Sequence, residues 1–119
     1  MKDLNKIKNK YAGFDTSNEK HCLYQIGKYA HYIDFISNPS EAVQMAAVRK
    51  ESYAIQFIKY PTEAVQLYCV RDSGALIRHI KEPTGEAVIE AVKQHKQFIR
   101  YIDIDRLSEE TRDTLMGLL

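Results

Sequence analysis

There is no tryptophan in this chain, and its 119 residues include only two cysteines, three prolines and five glycines. Two cysteines, Cys22 and Cys69, are too few for a disulfide scaffold. No apolar run approaches the ~18 residues that a bilayer-crossing helix needs. An excess of one charge is missing as well, since 17 Lys and Arg stand against 16 Asp and Glu. At net +1 the molecule as a whole is not drawn to nucleic acid or anionic lipid, so such binding would need a local patch. No glycine-rich phosphate loop, nucleophile elbow or Ser-His-Asp neighbourhood is visible. With no signal peptide read at the start, the expected location is cytoplasmic, with reduced thiols. What is present is a hydrophobic fraction of 45% with 28% charged residues, the composition of a single globular domain.

The prolines are not scattered. Pro39, Pro61 and Pro83 are each 22 residues from the next, and their neighbours keep the register without a gap. Val48, Val70 and Val92 form one column; Arg49, Arg71 and Lys93 form the next. Ile55, Ile77 and Ile99 make a third, and Ile58, Ile80 and Ile102 a fourth. One step back, Ile26, Ile33 and Ile36 fall in the valine and isoleucine columns, which marks a degenerate first unit at Ser17–Asn38. Within a unit the pattern predicts two short helices. Asn38-Pro39-Ser40-Glu41 offers a cap residue, a proline at the first helical position and a glutamate at the third. Gly74 suits a left-handed helix end after Asp72-Ser73, and the next proline closes the second helix. Helices this short are marginal alone, so their stability must come from stacking.

The expected fold is therefore all-α: a short solenoid of four 22-residue helical hairpins between capping helices. Its boundaries are an N-terminal cap at 1–16, repeats at 17–38, 39–60, 61–82 and 83–104, and a C-terminal cap helix at 105–119. Leu115, Met116, Leu118 and Leu119 give that last segment an apolar end through which copies of the chain could associate.

The segments Glu90–Ile102 and, less closely, Ala46–Ile58 resemble an uncharacterised domain-of-unknown-function family of short α-helical tandem repeats. Its units carry an Ala-Val-Lys/Arg core and a second helix of Leu/Phe-x-Tyr-Ala type, and it occurs in bacterial, phage and protist proteins. The resemblance covers about Ser17–Asp103. It implies a helical repeat fold, brings no catalytic residues, and is compatible with a phage-encoded inhibitor of a host factor. The strict prolines depart from the family's pattern, and its turn glycine survives only as Gly74.

Four histidines, His21, His31, His79 and His95, fall in different columns, and no pair has metal-ligand spacing. His79 shares its column with Phe57 and Tyr101, which favours aromatic packing. Cys69 aligns with Ala47 and Ala91 as a small buried residue, whereas Cys22 aligns with Gln44 and is expected nearer the surface. Glu41, Glu63 and Glu86 lie near helix starts, where the backbone dipole accounts for them. No metal, cofactor or catalytic residue is expected, and the chain reads as a non-enzyme.

Two polar features remain. Arg49, Arg71 and Lys93 recur on first helices and Arg78 and Arg100 on second helices, so stacking would turn them into basic ladders. Tyr68 shares a column with Ala46 and Glu90, which turns it outward, three residues from Arg71. Tyrosine and arginine commonly anchor protein interfaces. Arg49, Tyr68, Arg71, Arg78, Lys93 and Arg100 are therefore the candidate partner-binding residues. The leading expectation is a protein–protein interaction module, an adaptor or inhibitor; the alternative is nucleic-acid binding through the basic ladders.

Overall fold

Five ten-residue α-helices carry the fold in the computed structural model, which describes residues 18–119: α1 (Glu19–Lys28), α2 (Glu41–Lys50), α3 (Glu63–Asp72), α4 (Gly85–Gln94) and α5 (Glu109–Leu118). Each of the first four is followed by a six-residue 3₁₀ helix, at Ala30–Phe35, Ser52–Phe57, Gly74–His79 and Lys96–Tyr101. A further 3₁₀ turn, Ile104–Arg106, precedes α5. There are no strands among the described residues, and none of their helices is long and apolar enough to cross a membrane. The expected N-terminal cap at 1–16 and Ser17 lie outside the described residues.

The first four α-helices start at intervals of 22 residues because the same local devices recur. Asn18, Ser40, Thr62 and Thr84 are the N-caps, each accepting a hydrogen bond from the backbone N–H three residues on. This moves the caps two positions from where the sequence suggests them. Pro39 and Pro61 stand before the cap rather than inside the helix, and Asn38 adopts a left-handed φ of 51° in the linker, conduct that asparagine tolerates. At the other end a single extended residue, Tyr29, Glu51, Ser73 or His95, joins each α-helix to its 3₁₀ helix.

The second helix of each unit is 3₁₀ rather than α. It does not run on to the next proline, as the sequence suggests, but stops at Phe35, Phe57, His79 or Tyr101. The stop is an extended isoleucine, Ile36, Ile58, Ile80 or Ile102, whose branched side chain is tucked into the core.

Successive α-helices pack against one another from α1 to α5, and successive 3₁₀ helices form a second row. Each of α2, α3 and α4 also packs on the 3₁₀ helix of the preceding unit. The core lies between the rows and repeats with the register. Val43 and Val65, Val48 and Val70, and Ile55 and Ile77 are all essentially inaccessible. The described residues form a body of 50 × 27 × 21 Å. At its C-terminal end Leu115 is buried and Leu118 packs on the core, while Met116 and Leu119 remain exposed. Two of the four residues expected to offer an apolar end are thus committed inside the chain.

Gly74 has no left-handed φ; the cap after α3 is Ser73, with φ −152°. A glycine is needed here because a Cβ would lie 2.8 Å from Gln94 Oε1 and 2.9 Å from the Phe98 ring. Gln94 cannot simply withdraw, since its amide accepts from Gly74 N and donates to Val70 O. Gly27, late in α1, has nothing within 4 Å of the same position. Gly74→Ala is expected to cost about 1–3 kcal/mol through overpacking. Gly27→Ala should instead gain about 0.5 kcal/mol from helix propensity. Opposite shifts of the urea midpoint are the check.

Candidate functional site

All six residues expected to meet a partner, Arg49, Tyr68, Arg71, Arg78, Lys93 and Arg100, are exposed. They do not form one patch. Arg49, Arg71 and Lys93 are each the ninth residue of α2, α3 and α4, so they stand at equivalent places on adjacent helices. Arg78 and Arg100 sit on the 3₁₀ row. There Arg78 Nε lies 3.4 Å from His79 Nε2, and Arg100 lies over the Tyr101 ring.

The structure does bring Tyr68 and Arg71 together. With Met45, Ala64 and Asp72 they line a shallow depression of about 430 Å³ between α2 and α3. Tyr68 is 38% exposed, enough to present its ring while the base of the side chain packs. Arg71 Nε lies 3.9 Å from Glu90 Oε1 across the α3–α4 seam, with the guanidinium side chain 64% exposed. Such a pair is worth little in water and leaves the arginine free to exchange partners. Asp72 on the rim is held from the other side, where its Oδ2 accepts the Ser52 hydroxyl at 2.7 Å.

What keeps this face in shape is a set of polar seams. Gln44 and Gln66 are nearly fully buried in an otherwise apolar environment. Each donates its amide N–H to its own unit's proline carbonyl, Pro39 O or Pro61 O. Each then accepts the backbone N–H of the next unit's cap, Thr62 or Thr84. The last residue of a helix reaches the opposite way: Lys50 Nζ donates to Gly27 O, and Gln94 caps the α3 end at Val70 O. The glutamines could have been recognised as two amides in register 22 residues apart. Lys50, Asp72 and Gln94 share a position but no chemistry, so residue type alone gave no signal.

Other polar groups resolve into structure. Cys69 is fully buried, donates its S–H to Ser52 O, and burial pushes its thiol up to about 12, far from nucleophilic use. Cys22 is also buried, contrary to its expected place nearer the surface, because its position on α1 faces the core even though its column holds glutamine further on. Among the described residues, histidine rings meet aromatic side chains at His31 and, against Phe98, at His95, rather than at His79. The His31 ring meets Tyr29, Tyr53 and Phe57, and its Nε2 lies 3.3 Å from Glu51 Oε2 but out of line for a hydrogen bond. Donation of its hydroxyl to Glu51 raises the Tyr53 pKa. Among the described residues no three His, Cys, Asp or Glu side chains gather as metal ligands would.

No family model, curated protein or solved structure matches this chain.

Proposed function

We propose that this chain is a non-enzymatic binding module, a solenoid of four 22-residue helical units closed by α5, acting in the reducing cytoplasm as an adaptor or inhibitor of another protein. The observation that supports it best is the depression between α2 and α3, where an exposed tyrosine and a nearly free guanidinium flank an apolar floor. Side chains of these types, held on a rigid helical surface, are the usual anchors of protein interfaces. The nucleic-acid reading has less behind it, because its cations are divided between two rows of the fold.

The test is retention of a protein from lysate of the native host, with and without nuclease and at two salt concentrations. The wild type is expected to hold a partner that Tyr68→Ala with Arg71→Ala releases, at a cost of about 2 kcal/mol or more in affinity. Arg71 is exposed and Tyr68 only partly packed, so the variant should stay folded, with its melting midpoint lowered by only a few degrees. Unaltered retention by the double variant would remove this face from consideration, and recovery of nucleic acid lost at high salt would favour the alternative.

A further inference from the structure

The exposed surface of the α-helical row is divided by charge. At one edge, in the first turns of α2, α3 and α4, stand the exposed acids Glu41, Glu63 and Glu86. At the other edge stand Arg49, Arg71 and Lys93. Between them runs an apolar belt: Met45, Leu67 and Ile89 are half-buried, Ala64 is open to solvent, and Tyr68 projects beside it. The helices pack in order with the same start-to-start interval, so equivalent positions repeat at the interaxial spacing of about 10 Å. Among the described residues neither Arg49 nor Lys93 has a carboxylate within ion-pairing distance. The nearby acids are already engaged, Asp72 by Ser52 and Glu90, loosely, by Arg71.

This order of charge and apolarity selects an occupant. A nucleic-acid backbone laid along the belt would run beside Glu41, Glu63 and Glu86, which repel it, and would place phosphates over apolar side chains. A polypeptide, unlike a continuous phosphate backbone, can confine its carboxylates to the side that faces the cations, set an apolar side chain on the floor and turn uncharged residues toward Glu41, Glu63 and Glu86. We infer that the α2/α3 face takes an acidic, amphipathic segment of a partner protein, with an apolar anchor between Met45, Ala64 and Tyr68 and its carboxylates on Arg49, Arg71 and Lys93. The inference rests on the interaction-module reading and names the chemistry of its partner.

The probe is a random twelve-residue peptide library displayed on phage and panned against the full chain. Recovered peptides should carry net negative charge and at least one large apolar residue. Their affinity should fall at least tenfold on raising salt from 0.05 to 0.5 M, as expected of exposed ion pairs. Ala64→Gln, which fills the floor without altering charge, should weaken them at least tenfold, as should Arg49→Gln with Arg71→Gln. Arg78→Gln with Arg100→Gln, on the other row, should leave them unchanged. Peptides of neutral or positive charge, acidic peptides indifferent to Ala64→Gln, or no enrichment at all would overturn the inference. So would tight retention of a single-stranded DNA oligonucleotide that the Arg49 and Arg71 variant loses. A host protein still captured in the lysate experiment while panning fails would leave the module reading standing without this partner chemistry.

Discussion

Gln66→Ala is expected to destabilise the chain by about 2–4 kcal/mol, because it leaves two backbone groups without partners and opens a cavity beside them. Gln66 is 3% exposed, its Nε2 lies 3.0 Å from Pro61 O and its Oε1 accepts Thr84 N at 2.9 Å. Both ends of the amide are used, so a shape-matched Gln66→Leu should recover the packing but not the hydrogen bonds. It is expected to remain about 1–3 kcal/mol below the wild type. Gln66→Glu separates the roles further. Only the neutral carboxyl can both donate to Pro61 O and accept from Thr84 N, so its folded-state pKa must rise above the usual glutamate value of about 4.3. The stability it restores is then fully present below that value and lost as pH rises through the raised folded pKa. Urea denaturation of the four proteins at acid and neutral pH measures all of this. An acid-stabilised Gln66→Leu would contradict the assignment.

The largest single loss is expected at Ile77. It is inaccessible on the 3₁₀ helix Gly74–His79, which packs on both α3 and α4 and against the 3₁₀ helices before and after it. Ile77→Ala should cost about 3–5 kcal/mol, since neighbours on every side hold the cavity open. Ile99 occupies the same register one unit later but is only half-buried. Ile99→Ala should cost roughly 1–2 kcal/mol, because solvent already reaches part of the side chain. For a chain of this size the two differ by roughly 10 °C in melting temperature. Equal losses at the two positions would mean that burial within the array does not set the energetics.

The 22-residue interval, the all-helical content and the placement of the valine and isoleucine columns inside were legible before any coordinates, because burial repeats with the register and leaves a mark in residue type. The helix starts were harder to place. Asn38-Pro39-Ser40-Glu41 contains two plausible caps, and only the backbone shows that Ser40 fills the role while Asn38 turns through a left-handed conformation. The 3₁₀ character of the second helices left no such mark: Ile55 and Ile58, like Ile77 and Ile80, are three apart, a spacing an α-helix shares, and Ile58 and Ile80 stand beyond the 3₁₀ helices as their extended ends. At the candidate site, the exposure of Tyr68 followed from its mixed column of alanine, tyrosine and glutamate. The seams did not follow from any column, since a side chain that spans to a backbone group can be Lys, Asp or Gln with equal success.

The extended joints between α-helices and 3₁₀ helices have a mechanical consequence. Tyr29, Glu51, Ser73 and His95 share nearly the same dihedral angles, φ between −154° and −146° and ψ between 105° and 123°. Everything beyond such a residue is carried by one pair of bond rotations. Ser73 sits near the middle of a body 50 Å long, so a few degrees of rotation there would move the far end by about one to two ångströms. The bend of the Arg49, Arg71 and Lys93 row thus follows from joints of matched angle that the glutamine seams and the packing of successive helices hold in place, and a partner's surface is gauged against that curvature.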